Sequence, residues 1–92
     1  MKIESEKLLE RKLRERVHAA GGWCIKLVCT HITGLPDRLC LLPGGLVFFA
    51  EIKTTGKKPR PVQIKVMQKL TRLGFTVYLI DNSGQIERVG LT

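Results

Sequence analysis

The sequence predicts an α/β fold in which helices flank a mixed β-sheet, with elements in the order αβββαβ. Two segments repeat apolar residues at helical spacing, and between and after them lie short runs rich in β-branched and aromatic residues. A Pro43-Gly44-Gly45 turn joins two of these runs into an antiparallel hairpin. The second helical segment separates the last two runs, so it predicts a crossover that adds the last strand to the sheet. Ninety-two residues are enough for one domain, which we expect to span residues 1–92.

The first helix is predicted over residues 3–20. Ser5 is a candidate N-cap, and the glycines at positions 21 and 22 end the pattern. At about 100° per residue, four apolar side chains fall within roughly 80° of arc and form one core-facing stripe. These residues are Leu9, Leu13, Val17 and Ala20.

Acidic residues of this helix fall into two groups. Glu6 and Glu10 lie on or beside the apolar stripe, whereas Glu4 and Glu15 lie on the opposite side. An inward carboxylate is costly to bury and is therefore a candidate ligand. The alternative is a surface role, in which Glu10 pairs with Arg14 along the helix and Glu6 frays at the helix start.

Three strands are predicted in succession. The first covers residues 23–29, and Lys26 is its only charge; this lysine either extends into solvent or reaches a phosphate. The next two cover residues 39–42 and 46–53 and form the hairpin. The last of these is apolar on both faces until it reaches Glu51, as in a central strand covered on both sides.

The second helix is predicted from Pro61 to about position 73, closed by Gly74. Gln63 interrupts its apolar face, and two interpretations are equally open: the amide caps backbone groups of the first turn, or it orients a neighbouring functional group. A strand over residues 75–80 follows, and then a turn over 81–84. Residues 85–89 are predicted to form a short edge strand or a terminal tail.

Charged side chains converge at the open end of the hairpin. Side chains alternate along a strand, so Glu51 and Lys53 share a face with Phe49, and the hairpin brings Asp37 level with them. Two adjacent carboxylates repel each other unless a cation lies between them, and carboxylate oxygens suit Mg²⁺. The alternative is a buried salt bridge from Lys53 to Glu51 or Asp37.

Overall charge predicts a polyanionic partner. The chain has 16 Lys and Arg against 8 Asp and Glu, a formal net charge of +8. Residues 53–72 contain seven basic residues and no acidic one, a pattern typical of contact with a nucleic-acid backbone; the alternative is a solvated basic face. These residues are Lys53, Lys57, Lys58, Arg60, Lys65, Lys69 and Arg72.

Several function classes are disfavoured by the sequence. No stretch of about 18 apolar residues could span a membrane, and no Walker motif is present. Cys24, Cys29 and Cys40 form no C-x-x-C pair, which favours reduced thiols in a cytosol-like compartment over disulfides or zinc. His31 has no second His or Cys at ligand spacing except His18, which disfavours a metal role for it.

These motifs together resemble the PD-(D/E)XK nuclease superfamily, and more closely a stand-alone phage or bacterial VRR-NUC (virus-type replication-repair nuclease) domain. The resemblance covers nearly the whole chain, and the order and spacing of its motifs are more specific than any one of them. The motifs are Leu9-Glu10 ahead of Gly21-Gly22, Lys26, Gly34-Leu35-Pro36-Asp37-Arg38, Glu51-Ile52-Lys53 and Gln63.

The resemblance implies roles for these residues. Asp37 and Glu51 would bind Mg²⁺ or Mn²⁺, Glu10 rather than Glu6 would complete the metal shell, and Lys53 would orient or deprotonate the attacking water. Gln63 would be an auxiliary active-site residue. The implied activity is metal-dependent cleavage of branched DNA such as Holliday junctions by a homodimer in the host cytoplasm. The alternative is a non-catalytic nucleic-acid-binding module. The expected DNA contacts are Lys26, Arg38, Lys57, Lys58, Arg60, Lys65 and Lys69.

Overall fold

A four-stranded mixed sheet with helices on both faces forms the fold, as the sequence predicts. The structure, a computed structural model, describes residues 2–89. The strands lie side by side in chain order. The elements are α1 (Glu6–Ala19), β1 (Trp23–Lys26), β2 (Arg38–Leu42), β3 (Leu46–Ile52), α2 (Pro61–Arg72), β4 (Thr76–Ile80) and α3 (Ser83–Ile86).

The β2–β3 hairpin and the α2 crossover determine the sheet topology. β1, β2 and β3 pair antiparallel, whereas β4 pairs parallel with β3 after the chain crosses over through α2. Gly44 and Gly45 both have positive φ, a conformation that glycine adopts without a steric penalty in the tight hairpin turn. Both the antiparallel hairpin and the added last strand are therefore confirmed.

Helix α1 and one face of the sheet enclose the core. Leu9, Leu13 and Val17 are almost fully buried, and they belong to the same apolar cluster as Phe48 and Ala50 of β3. The Ser5 hydroxyl accepts a hydrogen bond from the backbone N–H of the third residue of α1, which confirms the predicted N-cap.

A double glycine ends α1. Gly21 has φ of +83°, and Gly22 passes so close to β2 that a Cβ on it would lie 2.4 Å from the carbonyl oxygen of Leu41. The helix therefore stops where the sequence predicts, because the chain must turn sharply and pack tightly against the sheet.

Helix α2 covers the opposite face of the sheet, and it is buried much less. The only buried side chain of α2 is Gln63; its apolar residues are half-buried or exposed. Phe49, on the face of β3 that points away from α1, packs edge-to-face against Phe75 with ring centroids 5.7 Å apart. The space between β3 and α2 is therefore less apolar than the core under α1, and it contains the buried polar residues Glu51 and Gln63.

Three elements differ from the sequence-based prediction. α1 begins at Glu6 instead of at residue 3. β1 ends at Lys26 instead of continuing to position 29. Since β2 begins only at Arg38, the ladder ends at the Lys26–Arg38 pair, and one further bond joins the N–H of Leu27 to the carbonyl oxygen of Asp37.

The expected edge strand over residues 85–89 is wrong: helix α3 begins at Ser83, inside the predicted turn, and residues 87–89 follow it as a turn, because the Asn82 side chain accepts the N–H of Gln85 and Ile86 is buried in the core. Within residues 2–89, no helix has both the length and the hydropathy needed to cross a bilayer.

Candidate active site

Asp37 lies against the end of strand β3. The register of the hairpin pairs Arg38, the first residue of β2, with Ala50, which brings Asp37, just before β2, level with Glu51. The Asp37 carboxylate accepts a hydrogen bond of 2.8 Å from the backbone N–H of Ile52. This bond fixes one carboxylate at the end of the strand that carries the other, as the sequence predicts.

Glu51 is a buried carboxylate with incomplete hydrogen bonding. Its side chain is 1% exposed, and Oε2 accepts a 2.8 Å hydrogen bond from the Gln63 amide and lies 3.4 Å from Lys53 Nζ. Oε1 is buried and has no hydrogen-bond partner within residues 2–89. Burial raises the pKa of Glu51, and the nearby Asp37 charge raises it further, although Lys53 opposes both effects. Glu51 Oε1 is thus the atom of this site where a positive charge or a hydrogen-bond donor is missing among residues 2–89.

Gln63 has both roles that the sequence left open. Its Oε1 accepts a 2.7 Å hydrogen bond from the backbone N–H of Arg60 at the start of α2, while its amide nitrogen donates to Glu51. Capping of the helix therefore locks the amide in the orientation that it needs to hold the carboxylate.

Lys53 follows directly after β3 and points to the same face as Glu51. Its backbone N–H donates to the carbonyl oxygen of Ile80, which ties this residue to the end of β4. Its side chain is 16% exposed. The ion pair considered in the sequence analysis is therefore present, and it leaves the lysine close to a surface from which a phosphate could approach.

The donor set of this site fits a divalent cation. Asp37 and Glu51 offer carboxylate oxygens, which hard cations such as Mg²⁺ prefer, and the unpartnered Glu51 Oε1 is an acceptor without a donor. Two ligands are fewer than a structural metal site requires, which suits an ion that retains water and shares a substrate phosphate. Among residues 2–89, no three His, Cys, Asp or Glu side chains form a group that could hold a metal.

Glu10 does not join Asp37 and Glu51. Its carboxylate lies 3.2 Å from the guanidinium of Arg38, on the α1 face of the sheet, whereas Glu51 contacts α2 on the other face. The three-carboxylate arrangement expected from the sequence is therefore reduced to a pair, because Arg38 provides a closer partner for the helical acid. Glu6, the other helical candidate, is exposed in the first turn of α1.

Arg38 is also not at the surface where the sequence placed it. It is 9% exposed and paired with Glu10, so it cannot serve as a surface phosphate contact in this conformation. The other basic residues expected to contact nucleic acid are all exposed. They are Lys26 at the end of β1 and Lys57, Lys58, Arg60, Lys65 and Lys69 in the loop and helix that follow β3.

Glu4 is a buried carboxylate, although the helical projection predicts it on the exposed side of the first helix. Glu4 Oε1 accepts the backbone N–H of Ser83 at 2.8 Å, and Oε2 accepts the Ser83 hydroxyl and the Lys12 ammonium. The hydrogen bonds from Ser83 lower the pKa of Glu4 to about 2, with Lys12 contributing. Because α1 begins only at Glu6, a helical projection does not apply to this residue, and no local signal identifies its distant partner.

Comparison with known proteins adds an independent line of evidence. No family model matches the sequence. The protein described as "Putative nuclease p44" of Acyrthosiphon pisum secondary endosymbiont phage 1 is 37% identical over 82 residues, which cover 89% of this chain and 88% of that protein. A solved structure described as a VRR_NUC domain superposes with a TM-score of 0.87 and 27% identity, covering 94% of this chain and 95% of that one. Both similarities extend across nearly the whole chain.

Proposed function

This chain belongs to the VRR-NUC nuclease family, and we propose that it is a Mg²⁺- or Mn²⁺-dependent endonuclease of branched DNA. One observation carries the metal dependence: the buried, unpartnered oxygen of Glu51, beside Asp37 and Lys53. Burial raises the pKa of Glu51, so its ionised form destabilises the fold, and a purely structural role does not explain why the residue is a glutamate. A bound cation would remove that destabilisation.

The roles of the side chains follow from their contacts. Asp37 and Glu51 would hold the ion, whose chemistry is to lower the pKa of a bound water and to neutralise charge on the scissile phosphate. Lys53, next to Glu51 and partly exposed, would supply positive charge to phosphate oxygens and position the attacking water. Gln63 would keep Glu51 in one orientation, so that its free oxygen remains directed at the ion.

The proposed substrate is DNA held by its backbone. Exposed lysines and arginines from Lys57 to Arg72 carry a single sign of charge, which favours phosphate contacts that are independent of base sequence. Selectivity would then come from the shape of the DNA, and the proposed shape is a branch such as a four-way junction.

A homodimer is the proposed assembly. An apolar groove of about 330 Å³ runs along α2, and Leu73 at its end is 64% exposed. A 92-residue chain has a small core, so covering this groove with a second copy would add needed apolar burial. Lys69 lines the groove, so in the dimer the DNA contacts of this surface would be Lys57, Lys58, Arg60, Lys65 and Arg72. Two active sites related by two-fold symmetry would match a four-way junction. Light scattering should then give twice the 10.4 kDa mass of one chain. The mass of a monomer at the concentrations used for cleavage would exclude the homodimer.

The first test compares cleavage of a labelled four-way junction, a flap and a linear duplex, with Mg²⁺, with Mn²⁺ and with EDTA. We expect metal-dependent cutting of the branched substrates. Asp37→Asn should reduce cleavage on the order of 100-fold or more, as loss of a group that stabilises transition-state charge does. Its DNA affinity should stay the same or rise, because a negative charge is removed beside the phosphate. Glu15→Gln, which removes one exposed carboxylate of α1, is the matched control and should cut normally.

Metal binding can be measured without activity. Mg²⁺ or Mn²⁺ should raise the melting temperature of the wild-type protein and of Glu15→Gln, but not that of Asp37→Asn, because only a ligand that binds the folded state stabilises it. Full cleavage in EDTA, or equal stabilisation of all three proteins, would contradict the metal site. Junction binding without cleavage in any metal would instead indicate a non-catalytic nucleic-acid-binding module.

A further inference from the structure

Helix α1 has a third side that neither the core nor the proposed active site uses. Leu9, Leu13 and Val17 face the core. On the side next to α3, Lys12 bonds Glu4 and Ser83, and the guanidinium of Arg16 donates to a backbone carbonyl. The remaining side is exposed and basic, within roughly 60° of arc at about 100° per residue. Its residues are Lys7, Arg11, Arg14 and His18.

A shallow groove of about 240 Å³ lies on this side of the helix. It is lined by Ser5, Lys7, Leu8, Arg11 and Arg14. The Ser5 hydroxyl is already an acceptor in the helix cap, so the free polar groups of the groove are the cationic ones. The basic side chains are also available: Lys7 and Arg14 form no hydrogen bond or ion pair within residues 2–89, and Arg11 has only an exposed pair with Glu15 at 3.8 Å. An elongated anion is the ligand that this chemistry fits.

This surface and the basic surface of α2 lie on opposite faces of the sheet. The Glu10–Arg38 contact places Arg38 on the α1 face, and Lys26 is its direct partner in the β1–β2 ladder, so Lys26 lies on that face as well. Gln63, through its bond to Glu51, places α2 on the other face. We call Lys7, Arg11, Arg14, His18 and Lys26 together the α1 basic surface.

We propose that the α1 basic surface binds the phosphate backbone of a second duplex arm of a branched DNA, while the loop and helix after β3 hold the arm that is cut. Duplex DNA is stiff, with a persistence length of about 50 nm, so a single straight duplex cannot follow the protein from one face of the sheet to the other. Two arms that diverge from a branch point can. The inference rests on the proposed function, and it names which surface recognises the branch.

The test is a comparison of two charge-matched double variants. Lys7→Gln/Arg14→Gln and Lys65→Gln/Arg72→Gln each remove one lysine and one arginine, seven residues apart on an exposed helix face. Arg88→Gln, exposed and outside both surfaces, controls for the loss of charge alone. Affinities for a four-way junction and for a linear duplex of one arm are measured in EDTA over a range of salt concentrations, so that cleavage does not enter.

We expect Lys7→Gln/Arg14→Gln to weaken junction binding about tenfold and to leave duplex binding within about twofold of wild type. For the junction, the slope of log binding constant against log salt concentration should become smaller in magnitude by up to about 1.8, for two lost phosphate contacts. Lys65→Gln/Arg72→Gln should weaken binding to both DNAs, and Arg88→Gln to neither. Each variant must melt within a few degrees of wild type.

Two results would overturn the inference: equal loss on junction and duplex for Lys7→Gln/Arg14→Gln, or no loss on either. Because binding is read without metal, absence of cleavage would count against the proposed endonuclease and not against the second-arm surface. A wild-type protein that binds junction no better than duplex would count against both.

Discussion

Glu4 and Glu51 are both buried glutamates, 5% and 1% exposed, yet their surroundings are opposite. Both carboxylate oxygens of Glu4 accept hydrogen bonds, from Ser83 and Lys12, and its pKa is lowered to about 2. Glu51 has one oxygen without a donor, and burial raises its pKa. The fold therefore stabilises the charge of one glutamate and tolerates the charge of the other.

This difference is the one expected between an acid that serves the fold and an acid that binds a ligand, the role proposed above for Glu51. A carboxylate that serves only the fold is expected to be fully paired, because an unpaired buried charge destabilises the protein. A binding site can retain the unfavourable arrangement, because a ligand relieves it. Substitution of the two residues should consequently affect different properties.

The largest expected effect is on activity. Glu51→Gln should reduce metal-dependent cleavage on the order of 100-fold or more, because the amide cannot replace an anionic oxygen beside the scissile phosphate. In EDTA at neutral pH the same variant should melt at or above the temperature of the wild type, since the neutral side chain avoids the desolvation and the Asp37 repulsion that raise the pKa of Glu51. Calorimetry on both proteins checks this, and a melting temperature several degrees lower would mean that Glu51 is mainly a structural partner of Lys53.

A smaller effect, on stability, is expected at the other glutamate. Glu4→Gln should lower the melting temperature by several degrees, because it weakens the bonds from Ser83 and Lys12 that tie the N-terminal segment to α3. Cleavage per folded molecule should stay near the wild-type value below the melting transition. Loss of cleavage in a protein that is still folded would show that Glu4 also supports the active site, which it could reach through the backbone bond to Thr55.

Local patterns in the sequence were sufficient for much of the site. The hairpin register alone brings Asp37 next to Glu51, because strand alternation and a tight turn leave few alternatives. Gln63 is identifiable for a similar reason, since it is a polar residue within a helical apolar face. These inferences depend on periodicities of single elements, which sequence expresses directly.

Contacts between distant elements were not predictable in the same way. The helical periodicity places Glu10 near the sheet but predicts carboxylates beside it, because nothing in the sequence shows that Arg38 turns towards α1. The helical pattern misplaces Glu4, because its partner Ser83 is 79 residues away and α1 begins later than the pattern predicts. Helix α3 depends on the same kind of information: Asn82 and Gln85 cap it locally, but Ile86 is buried by packing that is long-range in sequence.

The smallest expected effect is on the pH dependence of stability. Because the pKa of Glu4 is about 2 in the folded protein and 4.5 ordinarily, its ionised form stabilises the fold above pH 4.5, and this contribution is lost as the pH falls from 4.5 towards 2.

Ser83→Ala removes the hydroxyl donor and keeps the backbone N–H bond, so the pKa of Glu4 should rise and the acid unfolding midpoint should move to higher pH. The shift should be smaller than the change caused by Glu4→Gln, which removes the titration itself. Melting temperatures of the wild type, Ser83→Ala and Glu4→Gln, measured from pH 2 to 6, check that the two changes differ in this way. Identical profiles of melting temperature against pH would mean that the bonds from Ser83 do not lower the pKa of Glu4. Glu51 contributes with the opposite sign, since acidification neutralises a charge that the fold disfavours, so a Glu51→Gln background should make the Glu4 transition easier to resolve.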